Sequence, residues 1–304
     1  VKLSRYLSSA IFFVLVNMPA RQPFTALCQL AARSRLHDRA DLHVHTTHSD
    51  GNYTPAQVVE LARRAGLAAV AVTDHDAVGG VAVARAAATG SGVEIVAGVE
   101  ITAEFHGREL HLLGYFFRTD DGPLTAALDR VCRGRVERFQ EMIERLRLCG
   151  ASLDLRDVPP PAAPEALGRR HLAEMLVKQG MAGSVREAFA RWLHDGGRAA
   201  APKLRLPVGE AVALVRGAGG VAAYAHPPYD CTVEALTELR DLGLNAVEAD
   251  HPSLRASRSR ELRGWAKQLG MAVSAGSDCH GPGKHAIGAC TVSTEELDLL
   301  RPKR

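Results

Sequence analysis

No C-x-x-C pair occurs in this 304-residue sequence, and its six cysteines, at 28, 132, 149, 231, 279 and 290, are scattered. That excludes a zinc ribbon, a thioredoxin-type motif and the disulfide framework of a small secreted domain, and it suits a reducing compartment. Charge of one sign is also lacking, since 37 Lys and Arg against 34 Asp and Glu leave a formal net charge of +3. Such a balance does not indicate a nucleic-acid coat protein or a membrane-surface protein, so an anionic partner must be recognised locally. No apolar run approaches the roughly 20 residues that span a bilayer. One short run, Ala10 to Val16 behind Lys2 and Arg5, faintly has the pattern of a signal peptide, but Met18-Pro19-Ala20 makes a poor cleavage site. Residues 1–39 are expected to be a leader, disordered or extended. A cytoplasmic location is preferred to export with the leader as signal.

What is present is enough hydrophobic material, 46% of the residues, to bury one large α/β domain or a domain carrying an insertion. From Ala40 onward short apolar strands alternate with helices. "AQVVELARRAGLAAVAVTDHD" reads as an amphipathic helix through Ala65, a stop at Gly66 and a buried strand from Ala68 to Thr73. "GVEIVAGVEITAEFHGRELHLLGYFF" reads as strands that turn back at His106-Gly107, which places Glu100 opposite His111 across a hairpin. "EAVALVRGAGGVAAYAHP", "LTELRDLGLNAVEADHP" and "ELRGWAKQLGMAVSAGSDCHG" then repeat the order helix, break, strand. In barrels of parallel strands the loops at the carboxyl ends converge on one face, so residues distant in sequence meet there. Between Arg118 and Glu210 the rhythm breaks into long helical pieces separated by "DVPPPAAPEAL". The expected organisation is a first barrel part over 40–117, a helical insertion capping the mouth over 118–210, and a second barrel part over 211–304.

The polar residues collect at the strand ends. His43, His45 and Asp50 follow the first strand, and Asp74, His75 and Asp76 the second. The hairpin carries Glu100 and His111, a later strand ends in His226, and "GSDCHG" supplies Asp278 and His280. Residues at i and i+2 share a strand face, so His43 and His45 can grip one ion together, as can Asp278 and His280. With a shared carboxylate such as Glu100, two or three ions fit within roughly 3.5 to 4 Å of each other. Mixed imidazole and carboxylate donors suit manganese, iron or zinc, and the lack of thiolates argues against a closed structural zinc site. A lone histidine at a strand end is ordinarily a hydrogen-bonded residue and no more. Five strand ends bearing such groups are different, because unpaired buried imidazoles and carboxylates are costly and a cation holds them together.

"DLHVHTTHSDG", "VTDHD", "GVEIT", "HLLGY", "AHP" and "GSDCH" resemble, in order, the motifs of the PHP (polymerase and histidinol phosphatase) metal-dependent phosphoesterases. The resemblance runs over about residues 40 to 290 and includes "GRRHLAEMLVKQG" in the insertion. It implies an α/β fold, a distorted (β/α)7 TIM-like barrel with a helical insertion over its mouth. It also implies a trinuclear site: His43, His45, Glu100 and Asp278 for the first ion, Glu100, His111 and His226 for the second, Asp50, His75 and His280 for the third. Two or three divalent ions are expected, manganese before iron or zinc. The activity implied is phosphoester hydrolysis, and because that reaction needs a nucleophile, charge neutralisation and help for the leaving oxygen, the expected mechanism is in-line attack of a metal-held hydroxide, with His43, His45, Asp50, Glu100 and Asp278 holding it. Similarity is greatest to the stand-alone branch of 3′,5′-nucleotide bisphosphate phosphatases and 5′→3′ exoribonucleases on short RNA. Histidinol phosphatases and polymerase-associated members are less similar, and no polymerase domain is present. The expected partner is thus a nucleotide bisphosphate or short 5′-phosphorylated RNA, with no membrane and no obligate protein partner.

Two positions depart from the family pattern: His48 stands where a small or apolar residue is usual, and Cys279 replaces an aromatic residue. Strand alternation turns Cys279 away from Asp278 and His280, which gives it a packing role. Beyond the ligands, Arg135 and Arg138 lie one helical turn apart on a face that can look into the mouth. Pairing with Glu137 and Glu141 is the competing account. Arg169, Arg170 and His171 start the next helix and can reach phosphate or base, or simply pack. His285 is placed near the site or exposed, His251 lines the pocket with no ligand at i+2 to pair with it, and His106 and His194 are bystanders. Asp74 and Asp76 are expected to orient the His75 ring or cap the following helix. Other readings are a histidinol-phosphatase-like small-molecule phosphatase, a metal-dependent amidohydrolase, since His-x-His also marks that class, and a non-catalytic nucleotide sensor. The insertion's charges nearly balance, so a pocket for one or a few nucleotides is expected rather than a long RNA track.

Overall fold

A computed structural model describes residues 37–157, 168–283 and 285–303. The expected leader falls almost wholly outside the described residues, as does most of the proline-rich stretch.

Strand β1 (Arg39–Val44) leads through the first motif to helix α1 (Pro55–Ala65). Thr54 starts α1 through a reciprocal capping box with Gln57, Pro55 occupies the first turn, and Gly66 ends it with a left-handed φ of 77°. The helix turns Val58, Val59 and Ala62 inward, each such valine stabilising the fold by roughly 1.5–3 kcal/mol. Next come β2 (Ala69–Val72), α2 (Gly79–Ala87), β3 (Glu94–Phe105) and β4 (Arg108–Tyr115). The long α3 (Gly122–Leu148), α4 (Arg169–Lys178) and α5 (Val185–Ala188), which runs into a π turn, make up the helical stretch. The chain returns through β5 (Leu206–Pro207), α6 (Val208–Gly217), β6 (Val221–Tyr224), α7 (Val233–Asp241), β7 (Ala246–Asp250), α8 (Ala256–Leu269) and β8 (Ala272–Ala275). It ends in β9 (Val292–Ser293) and α9 (Thr294–Leu300).

The strand order is β8-β7-β6-β4-β3-β2-β1-β9, with β5 added in parallel to β3. Neighbours are parallel through β1-β2-β3 and β6-β7-β8, while β4 runs against both β3 and β6. The residues after β8 return to β1: Asp278 N–H donates to His43 O at 2.8 Å and His45 N–H to Cys279 O at 3.0 Å. A side chain at Gly276 would run into His43 Cβ, so only glycine permits this approach. The result, with the short β5 and β9 set aside, is a seven-stranded, nearly closed barrel, distorted by its reversed strand β4.

The hairpin turns at His106-Gly107, where both residues take positive φ, 51° and 74°. Its register pairs Thr102 with His111 and Glu100 with Leu113. Glu100 and His111 are therefore diagonal neighbours on one face, not directly opposite as expected.

Small residues line part of the barrel interior, among them Ala71, Ala223 and Ala246, packed with Leu42, Val96, Leu113 and Tyr115. Helix α3 belongs to two cores. Its first half buries Leu124, Leu128 and Val131 against the barrel's helical layer, and its second half buries Phe139, Met142 and Leu146 against Leu172, Leu176, Trp192 and Leu193. No helix among the described residues is long and apolar enough to cross a membrane.

Candidate metal centre

Strand alternation points His43, His45 and Glu100 inward at the carboxyl end of the barrel, all essentially buried. Nε2 of His43 and Nε2 of His45 lie 3.1 Å apart. Each also lies close to Glu100 Oε2 (3.3 and 3.2 Å) and to Asp278 Oδ1 (3.4 and 3.2 Å). Around a tetrahedral ion with bonds of about 2.0–2.1 Å, donor atoms sit about 3.3–3.4 Å apart. Two imidazole nitrogens and two carboxylate oxygens thus form the polyhedron that a cation occupies. The other oxygen of Glu100, Oε1, faces His111 Nδ1 at 2.8 Å and His226 Nε2 at 2.9 Å. Glu100 therefore divides its two oxygens between two groups of imidazoles.

Donor atoms within 4.8 Å of one another fall into four sets: His45, Asp50, His75 and His280; His43, His45 and Asp278; His43, Glu100 and His226; His75, Glu100 and His111. All nine residues of the expected ligand set are brought together. The groups overlap more than the partition expected from the sequence, with His45 beside the Asp50 group, His75 beside His111, and His43 beside His226. Asp50 Oδ1 and His75 Nδ1 are buried with no hydrogen-bond partner among the described residues. Orphaned polar atoms of this kind are costly, and a carboxylate oxygen beside an imidazole nitrogen fits a divalent cation. His226 and Asp278 both take positive φ, 29° and 51°, a local strain held by the surrounding structure.

Electrostatics agree. Burial alone would lower the pKa of His45, but hydrogen bonds to Asp278 and Glu100 outweigh it and raise it to about 10. His111 is raised to about 9 in the same way, Glu100 overcoming burial. His43 is raised well above the usual imidazole range because Glu248 and Glu100 overcome its burial. Burial would raise Glu100, yet the imidazoles of His75, His111 and His43 hold it well below the ordinary carboxylate range. His75 is lowered by burial. The carboxylates thus favour positive charge at His43, His45 and His111, which is the charge a cation would supply there.

Several side chains sit differently from expectation. Asp74 neither orients His75 nor caps α2: it accepts from Thr46 N–H (2.7 Å), Thr46 Oγ1 (2.8 Å) and Ser49 Oγ (2.7 Å), bracing the first motif. Asp76 accepts from Thr102 N–H at 2.7 Å and from the Arg135 guanidinium, while α2 begins at Val78 without a side-chain cap. Arg135 therefore pairs with Asp76, not Glu137. Arg138 donates to Ala201 O at 2.8 Å, and it is Arg145 that pairs with Glu141. Arg170 reaches Glu174 at 2.9 Å, and His171 Nδ1 accepts from Gly168 N–H at 3.2 Å. His251 lines the cavity as expected, its Nε2 3.3 Å from Asp278 Oδ2 without hydrogen-bond geometry. His106 pairs with Glu238 at the surface. Cys279 is buried among Val44, Val58 and their neighbours, turned from the ligands.

Two contributors went unnoticed in the sequence. Glu248, fully buried on β7, accepts from His43 Nδ1 at 3.0 Å and from His226 N–H at 2.6 Å. The alternation Glu248-x-Asp250 in "AVEAD" was its only signal. Lys203 is the other, one wall of a cavity of about 580 Å³ that opens over the cage. Arg135, Arg138, Arg169, Arg170, His171 and His285 also line this cavity, which reaches Asp50, His75, His111, Asp278 and His280 below.

A buried cage of imidazoles and carboxylates under a basic cavity, at the carboxyl end of a barrel, defines a metal-dependent phosphoesterase site. The profile of the PHP domain matches residues 41–152. A 3′,5′-nucleoside bisphosphate phosphatase of Chromobacterium violaceum is 31% identical over 276 residues, 86% of this chain and 94% of that one. A 5′-3′ exoribonuclease of Haemophilus influenzae is 30% identical over 247 residues, 80% and 90% of the two chains. A solved structure from Bifidobacterium adolescentis, described as a metal-dependent phosphoesterase, superimposes with a TM-score of 0.77 at 28% identity, covering 86% of this chain and 94% of that one. This chain belongs to the PHP domain family and is a phosphoric ester hydrolase.

Proposed function

We propose that this chain removes phosphate from nucleotides or short oligonucleotides, as a 3′,5′-nucleotide bisphosphate phosphatase, a 5′→3′ exoribonuclease, or both. The observation that carries the reading is the direct opening of the cage into a cavity with four arginines and a lysine in its walls. Its volume of about 580 Å³ suits one or a few nucleotides and no long strand. The cytoplasm, where such substrates arise, is the location that goes with this reading.

His43, His45, Glu100 and Asp278 would hold one ion, Glu100, His111 and His226 a second, and Asp50, His75 and His280 a third, with manganese preferred. Divalent cations bound there supply charge neutralisation at the phosphoryl oxygens, activation of water, and stabilisation of the leaving oxygen. The chain's own residues position the ester. Arg138, Arg169 and Arg170 offer guanidinium forks to a second phosphate or to the sugar-phosphate backbone. His171 stands among them as a polar contact for base or phosphate. Glu248 orients His43, and Asp74 holds the first motif in place, so the donor atoms are set before substrate arrives.

The test is phosphate release by the manganese-loaded protein from adenosine 3′,5′-bisphosphate, a short 5′-phosphorylated RNA and histidinol phosphate. Turnover of the bisphosphate or the RNA well above histidinol phosphate is expected. Preference for histidinol phosphate, or no turnover of any of the three, would overturn the reading.

A further inference from the structure

Glu109, a carboxylate outside the ligand set, touches one of its members. Glu109 and His111 stand at i and i+2 on β4 and share a face. Oε1 of Glu109 accepts from His111 Nε2 at 3.2 Å, while Nδ1 of the same ring faces Glu100 Oε1 at 2.8 Å. In the hairpin register Glu109 is directly opposite Glu104, a like-charge pair that is unfavourable by itself. Two cations from the stretch that leads back from the insertion offset it. Lys203 Nζ lies 2.8 Å from Glu109 Oε1, Arg205 Nε 3.0 Å from Glu109 Oε2, and Arg205 Nη1 3.5 Å from Glu104 Oε2. Strand β5 fixes this stretch to β3 through Ala103 and Leu206.

We propose that Glu109 is a positioning residue for His111, clamped by Lys203 and Arg205, so that the segment returning from the helical insertion sets the orientation of one ligand of the cage. The proposal rests on the reading of His111 as a ligand. Other rings of the cage have their remote nitrogen held from within the barrel: Glu248 holds His43, and the backbone carbonyl of Asp278 holds His280 at 2.9 Å. His111 differs because the brace is completed by residues 203 and 205. A ring donating Nε2–H to Glu109 keeps its Nδ1 lone pair for a cation, and partners of this kind govern metal affinity. Lys203 also lines the cavity, so the group that steadies Glu109 is within reach of an entering anion.

The experiment is manganese binding followed by the EPR signal of the free ion, for the wild-type chain, Glu109→Gln, Glu109→Ala and the double variant Lys203→Met/Arg205→Met. Histidine ¹⁵N spectra and thermal melts of the metal-free proteins accompany it. Expected is weakening of one class of site by roughly 10- to 100-fold in Glu109→Ala, with the others unchanged. Glu109→Gln, whose amide oxygen still accepts from His111, should lose less, and the double variant should weaken the same class. The spectra should show a shifted His111 Nε2 signal. Unchanged affinity and an unchanged His111 signal in Glu109→Ala would overturn the proposal, as would weakening of every class in step with thermal stability. If Glu109→Ala does not fold, Lys203→Met/Arg205→Met decides, and unchanged affinity there overturns the proposal. A wild-type chain that binds no manganese would sink the reading of the cage itself, which is a separate result.

Discussion

Oε1 of Glu248 lies 3.0 Å from Nδ1 of His43, and neither side chain is exposed to solvent. The hydrogen bond fixes the orientation of the His43 ring and leaves Nε2 turned toward His45, Glu100 and Asp278. The second oxygen of Glu248 takes the backbone N–H of His226, so one carboxylate from β7 braces ligands on either side of it in the barrel.

Glu248→Ala leaves two buried donors without acceptors, at about 1–3 kcal/mol each, and should lower urea stability by a few kcal/mol. Manganese affinity should fall by roughly 10- to 100-fold. Glu248→Gln retains one acceptor and should fall between the two. Wild-type affinity in Glu248→Ala would show that the pair is structural only.

Asp50→Asn should have the opposite profile, little change in stability and a large loss of chemistry. Asp50 is at the rim, with a third of its side chain exposed and one oxygen unpartnered, so the core does not depend on it. Loss of one ion removes several kcal/mol of charge stabilisation, which lowers turnover by at least about 100-fold. Metal analysis should find one equivalent fewer than in the wild type, and the metal-free melt should be unchanged. Full metal content and full activity in Asp50→Asn would remove Asp50 from the ligand set.

The metal-free chain should lose stability as pH rises. His45 and His111 have folded pKa values of about 10 and 9, above the roughly 6.5 of an unfolded chain. A group raised on folding stabilises fully below its unfolded pKa and loses that contribution as pH climbs through its folded value. Denaturant melts of the apo-protein should therefore weaken between pH 7 and pH 10, a decline that bound manganese abolishes. Metal loading near pH 7.5 must also displace protons from His43, His45 and His111. Calorimetry in buffers of different ionisation enthalpy should read the release of about three protons. Release of none would contradict the charge states assigned here.

Arg135 and Arg138 should separate cleanly despite being one turn apart. Arg135→Met leaves buried Asp76 without its cation and should cost about 3 kcal/mol or more of stability. Arg138→Gln gives up a bond to one backbone carbonyl and a cavity wall. It should raise KM for a bisphosphate by roughly 10-fold with little change in the melting temperature. The reverse pattern would exchange their roles.

Much of this architecture can be read in the chain. The alternation of apolar strands and helices, the Gly66 stop and the turn at His106-Gly107 follow from local chemistry, and the proposed ligands lie at or just beyond strand ends except Glu100 and His111, which stand in mid-strand on the hairpin. The diagonal placement of Glu100 and His111 was also within reach, because a two-residue turn at 106–107 forces Thr102 opposite His111. Long-range side-chain partnerships were not legible. Arg135 meets Asp76 across 59 positions, and Glu248 meets His43 across 205. The one local mark of Glu248 is its alternation with Asp250 in "AVEAD", which does not say what either carboxylate meets. Helical spacing favoured Glu137 and Glu141 for the arginines of α3, but the tertiary fold supplies a buried carboxylate and a carbonyl instead. The overlap of the ion groups depends on ring orientations that only packing sets.

Removal and return of the metal tests the central claim most directly. The chain is stripped with chelator, manganese is added back in known equivalents, and phosphate release from adenosine 3′,5′-bisphosphate is followed at each step. The expected course is no turnover in the stripped protein and a rise that saturates at two or three equivalents per chain. Turnover that survives stripping, or a fully loaded protein that leaves the bisphosphate intact, would contradict it.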